Sequence, residues 1–132
     1  MTSAISPETF SWRRHGIAYV ALGVWCALVW VLSSKSDPGD SVGFVIDLPD
    51  YVLHAIEYAA GGLVAARAFS HLRSPLSGTT ALAFCVVYGV LDEWHQSFVP
   101  GRDASFSDVA ADAVGALAGI ALHALISRRR RD

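Results

Sequence analysis

Along this chain the charged residues withdraw into a few knots, and long apolar runs lie between them. Gly16–Ser34 is 19 residues without Asp, Glu, Lys or Arg, Ser74–Leu91 is 18, and Ala113–Ser127 is 15. A fourth stretch, Tyr51–Phe69, has the length of these runs but contains His54, Glu57 and Arg67. A helix that crosses a bilayer needs roughly 17–25 mostly apolar residues. The pattern therefore predicts an all-α fold, an integral membrane bundle of four transmembrane helices at about 16–34, 51–69, 77–95 and 106–126. By hydropathy alone the second span is the weakest of the four.

Composition agrees. The 132 residues make one domain, 53% of them hydrophobic, with a mean hydropathy of +0.41. Only 17% are charged, against about 25% in an ordinary soluble domain. The rival reading, a soluble bundle with buried helices, leaves too little polar surface to wrap it. A net charge of −2 without a basic face argues against nucleic acid as a partner. Arg13-Arg14 could begin a signal peptide, but the apolar run is long for one and no A-x-A site follows it, so a retained anchor is expected. Cys26 and Cys85 fall inside apolar runs and read as small apolar filler.

Four spans put both termini on one side. Arg13, Arg14, Arg67, Arg73 and Arg128 to Arg131 then share that side, and only Lys35 and Arg102 fall opposite. Cytoplasmic loops collect Lys and Arg, so both termini are expected in the cytoplasm. The terminal arginine run reads as a stop signal and a contact for anionic lipid. In the first external loop, Pro38-Gly39 marks a turn, and Phe44-Val45-Ile46 is either an interfacial flap or packing.

The opposite, external side carries the chemistry. The stretch DEWHQSFVPGRDASFSD, residues 92–108, gathers Asp92, Glu93, His95, Gln96, Arg102, Asp103 and Asp108. On the second helix Asp50, His54 and Glu57 follow i, i+4, i+7 and share a face. On the third, Tyr88, Asp92, His95 and Gln96 make a similar stripe, with Glu93 about 100° around from Asp92. On the fourth, Asp108 and Asp112 align with Gly115 and Gly119, a small-xxx-small face that lets a helix come close, within the chain or between chains in a homo-oligomer. Ionisable residues in a membrane cost about 2.5–3.5 kcal/mol each at mid-bilayer and less near the ends, so they mark function by default. Some have duller roles. Asp50 suits a helix N-terminus, and Ser105-x-x-Asp108 looks like a capping box. Trp12, Trp25, Trp30 and Trp94 suit lipid and interface packing.

Two stretches, DYVLHAIEYAAGGLVAARAF and YGVLDEWHQSFVPGRDASFSDVAADAVGALAG, together resemble the VanZ-like family. They span residues 50–119, from the second helix into the fourth, so one such domain covers the chain. The matching positions are Asp50, His54, Tyr58, Glu93, Gln96, Arg102, Asp108 and Asp112. The chain departs from the pattern at Tyr51, where many relatives carry Lys, and at Asp112, where many carry Asn. The resemblance implies a small bacterial protein of the cytoplasmic (inner) membrane, and it links the family by name to teicoplanin resistance at the cell envelope. It implies no particular reaction.

Three readings of the cluster stay open. In the first it is an enzyme site on an envelope lipid or lipid-linked cell-wall precursor. Mg²⁺ or Mn²⁺ would sit among Glu57, Glu93, Asp108 and Asp112, with Asp50 and Asp92 as further ligands, because hard cations take carboxylate oxygens. His54 or His95 would be the acid or base, and Arg102, with Gln96 and Tyr58 beside it, would hold a phosphate. A zinc site built on His54 and His95 fits less well, for no H-E-x-x-H or Cys/His ligand spacing occurs. In the second reading the same cluster binds or transports a headgroup or glycopeptide without chemistry. In the third the polar groups clasp the bundle, at about 0.6 kcal/mol for each interhelical hydrogen bond.

Overall fold

The computed structural model describes residues 12–36, 48–72 and 75–130. The Pro38-Gly39 turn and the Phe44-Val45-Ile46 patch expected between the first two helices lie outside the described residues. A π-helical turn, Trp12–Gly16, leads into α1 (Ile17–Ser33). Then follow α2 (Asp50–Ala68), a 3₁₀ turn at Phe69–His71, α3 (Leu76–Gln96) and α4 (Phe106–Arg129), and no strand occurs among the described residues. These four helices sit within a few residues of the four expected from the apolar runs. Two of them, α3 and α4, are long and apolar enough to cross a membrane. The helix α1 is apolar but shorter.

Local chemistry sets the ends. Pro49, extended at φ −55° and ψ 144°, precedes α2, and Asp50 places an acid in its first turn, where the helix dipole favours it. Between α3 and α4 the amide of Arg102 bonds back to the Val99 carbonyl at 3.1 Å. Gly101 sits at φ +82° inside that turn, after Pro100. This Pro-Gly order is the signature of a turn that needs positive φ at its third position. Ser105 caps α4, its Oγ accepting from the Ser107 amide at 3.2 Å.

The closest seam runs between α2 and α4. A Cβ added to Gly115 would collide with the Ala55 carbonyl, one on Gly119 with that of Ala59, and one on Gly62 with the backbone of Ala116. The glycine face of α4 thus packs within the chain, against the small residues of α2. Helices in lipid gain from such contact because backbones then touch directly.

The helix α1 is fastened by Trp25, whose indole Nε1 donates to the Glu57 carbonyl at 3.1 Å. Its ring lies against Gly61 and meets Tyr58 edge-on at 5.1 Å. Trp25 is therefore core, not the lipid-facing anchor its place in an apolar run suggested. Tyr88 adds a second tie, its hydroxyl donating to the Cys26 carbonyl at 2.6 Å.

The outside of the bundle is largely apolar, and the inside holds buried acids at one end besides its apolar core. Val24, Leu28, Val87, Val114, Leu117 and Leu125 are all more than half exposed, while Asp92, Gln96 and Asp112 are almost fully buried. Water-soluble domains bury these residue types the other way round.

Candidate functional site

The acids and histidines sit where the C-terminal end of α3 meets the N-terminal ends of α2 and α4. Their centre is His54. His54 shares the buried face of α2 with Tyr58 and Gly61, at i, i+4 and i+7, and so faces inward. It is only 4% exposed, and its Nδ1 lies 2.9 Å from Asp112 Oδ1 on α4. With Asp112 ionised, Nδ1 is the donor of that hydrogen bond, because a carboxylate without its proton only accepts. The imidazole then presents Nε2 on its other side, 3.8 Å from Glu93 Oε1 on α3. Gly89 of α3 makes room for this arrangement, since a Cβ there would stand 2.7 Å from Asp112 Oδ2.

Asp92 and Glu93 are neighbours about 100° apart on α3, a spacing that suggests one of them points away. Both are buried, Asp92 to 1% and Glu93 to 5%, because a helix packs on each side of them. Asp92 Oδ2 accepts from Ser33 Oγ of α1 at 2.9 Å and from Gln96 Nε2 at 3.0 Å. Gln96 Nε2 also reaches Ser33 Oγ at 3.3 Å. Glu93 Oε2 accepts from the Ser105 amide at 2.7 Å. The capping box expected within α4 is thus closed from α3: Glu93, not Asp108, bonds the amide of the cap residue. Asp108 is left buried beside the site, within electrostatic range of His54.

Several buried polar atoms here have no hydrogen-bond partner among the described residues: Asp92 Oδ1, Glu93 Oε1, Asp112 Oδ2 and the Tyr58 hydroxyl. Tyr58 is wholly buried, in electrostatic range of Asp112, Asp92 and Glu57. Glu57, half-buried one turn beyond His54, feels His54, Asp92 and Asp112 in turn. Donor atoms of His54, Asp92 and Glu93 all lie within 4.8 Å of one another, and so do those of Asp50, His54 and Asp108.

The structure therefore brings together His54, Asp92, Glu93, Asp108 and Asp112, with Glu57, Tyr58 and Gln96 against them. It does not bring in His95. That ring stacks on Trp30 at 3.8 Å. Its Nε2 lies 2.9 Å from Ser34 Oγ, which itself donates to the Trp30 carbonyl. Asp50 and Arg102 stand at the rim, where Arg102 Nη1 reaches Asp50 Oδ2 at 3.4 Å. Asp50 is largely exposed, whereas Arg102 Nε is buried and has no hydrogen-bond partner among the described residues.

Sequence reasoning missed Ser33, Ser34 and the Ser105 amide. The serines close an otherwise apolar first span, and a polar pair at a helix end was the signal available. Nothing in the sequence marked the Ser105 amide as the partner of Glu93.

Comparisons with curated proteins and with solved structures returned no match. The model of one family, VanZ/LLP1, matches residues 17–127, from the start of α1 almost to the end of α4. The chain thus belongs to the VanZ/LLP1 family.

Proposed function

We propose that this protein spans the bacterial cytoplasmic membrane four times with both termini inside. At the outer leaflet it would bind, and act on, the phosphorylated headgroup of an envelope lipid or lipid-linked cell-wall precursor. The apolar exterior supports the membrane placement. Orientation rests on the basic residues: Arg13, Arg67 and His123 line one groove, and Arg128 and Arg129 end α4. The acidic cluster lies at the other end. By the positive-inside tendency the basic end faces the cytoplasm.

One observation carries the functional reading: the cluster holds buried polar atoms that its own hydrogen bonds leave unspent. A cluster that served only to clasp helices would pair them, since each buried unsatisfied group costs about 1–3 kcal/mol. Here Asp112 bonds His54, and donor atoms of His54, Asp92 and Glu93 lie within 4.8 Å of one another. Arg102 at the rim supplies a forked donor suited to phosphate. The family's link to glycopeptide response suits a site at the envelope surface.

The test is turnover. Purified protein in detergent is incubated with radiolabelled phosphorylated lipid precursors, and products are separated by chromatography. A new product lost in His54→Ala supports an enzyme. Saturable binding without product assigns a non-catalytic binding or transport element. Neither binding nor product, with His54→Ala destabilised alone, leaves the structural clasp.

A further inference from the structure

We propose that His54, Asp92 and Glu93 together hold one divalent transition-metal ion, zinc or manganese, at the acidic end of the bundle. The inference comes from how each side chain divides its two polar atoms. His54 commits Nδ1 to Asp112 at 2.9 Å and turns Nε2 toward Glu93 Oε1, 3.8 Å away. Asp92 commits Oδ2 to Ser33 and Gln96 and leaves Oδ1 buried and unbonded. Glu93 commits Oε2 to the Ser105 amide and leaves Oε1 buried and unbonded. Three side chains from two helices are each pinned by one atom and keep the other spare, and their donor atoms lie within 4.8 Å of one another.

Metal-binding histidines nearly always give their second nitrogen to a carboxylate or carbonyl, and metal-binding carboxylates are likewise hydrogen-bonded behind the metal. Asp112, Ser33, Gln96 and the Ser105 amide fill those supporting places. The spacing agrees as well. Two donors each about 2.1 Å from a zinc ion stand about 3.4 Å apart at a tetrahedral angle, and a few tenths of an ångström more as that angle opens. His54 Nε2 and Glu93 Oε1 stand 3.8 Å apart, too far for a hydrogen bond and suited to a shared ion.

The fully buried hydroxyl of Tyr58 is a separate observation. It has no hydrogen-bond partner among the described residues and lies in electrostatic range of Asp112 and Asp92. The second grouping, Asp50 with His54 and Asp108, is the weaker one, because Asp50 is largely exposed and already paired with Arg102. An imidazole nitrogen among carboxylates shifts the choice toward zinc or manganese and away from magnesium or calcium, which take oxygen alone.

This deepens the headgroup reading and rests on it for the role of the ion. A phosphate meets a nest of carboxylates only across a cation, and Arg102 is partly spent on Asp50. Binding of the ion itself is tested without any lipid.

The protein, purified in detergent without a polyhistidine tag, is stripped with chelator and reloaded with Zn²⁺ or Mn²⁺. Metal content is measured after desalting, and binding by calorimetry. About one ion per chain is expected. Glu93→Gln, which keeps an acceptor for the Ser105 amide, and His54→Ala should abolish binding. Asp112→Ala should weaken it about 10- to 100-fold, and His95→Ala should leave it unchanged. Wild-type protein that keeps no ion overturns the proposal, and so does binding that survives both Glu93→Gln and His54→Ala. Phosphorylated-lipid binding is then measured with and without chelator. If the ion binds and no lipid does, the site stands and the headgroup reading falls. If lipid binds equally well with chelator, the ion has no part in it.

Discussion

Asp112 Oδ1 and His54 Nδ1 meet at 2.9 Å across the α2–α4 seam, and both side chains are almost wholly buried. The contact exists because the glycines one and two turns further along α4 let the two backbones touch. It joins the packing of the bundle to its chemistry: whatever parts these helices also releases the imidazole.

Asn in place of Asp112 keeps an oxygen for His54 Nδ1. Asp112→Asn should therefore stay within about 1 kcal/mol of the wild type. Asp112→Ala strands a buried donor and should cost about 1–3 kcal/mol. Thermal unfolding in a single detergent measures both. Equal stability of the two variants would show that the bond does not hold His54.

Side chains added along the seam should act by position. Gly115→Ala and Gly119→Ala press a methyl into the carbonyls of Ala55 and Ala59, and each should destabilise by about 1–3 kcal/mol. Gly23 has nothing within 4 Å of a new Cβ. Gly23→Ala should be neutral or gain up to about 1 kcal/mol from helix propensity. The same melts decide it, and a neutral Gly115→Ala would refute the close seam.

Glu93 should act as the cap of α4 although it belongs to α3. In Glu93→Ala the Ser105 amide, bonded at 2.7 Å in the wild type, should exchange its hydrogen much faster, with fraying confined to the first turn of α4. Glu93→Gln should keep most of the protection. Hydrogen exchange read by mass spectrometry distinguishes these patterns. Unchanged protection in Glu93→Ala would mean that the cap lies elsewhere.

Ser33, Asp92 and Gln96 should behave as one unit. Ser33→Ala and Gln96→Ala each remove a donor to the same Asp92 oxygen, so the double variant should depart from additivity by about 0.5–3 kcal/mol. Additive losses in a double-mutant cycle would show two independent bonds.

Topology has its own check. With Cys26 and Cys85 replaced, a single cysteine at Asp103 should react in whole cells with a membrane-impermeant maleimide. One at Arg130 should react only after lysis. The reverse pattern would invert the orientation.

Much of this was legible in sequence. Apolar runs and punctuating Pro, Gly and Ser placed all four helices, because helix formation and hydropathy are local properties. Spacing also put Asp50, His54 and Glu57 on one face, and Asp108 and Asp112 on the glycine face of α4, since the helical repeat alone decides such relations. Partners were another matter. Only packing decided that α4 lays its glycines on α2, that Trp25 enters the core over Gly61, and that His95 turns to Trp30 while His54 takes the centre. Asp92 and Glu93 both end up buried because α1 closes on one side of α3 and the start of α4 on the other. A single helix's periodicity carries no information about how many neighbours surround it. The chain's own order of residues determines what each helix offers, and the contacts between helices determine which offer is taken.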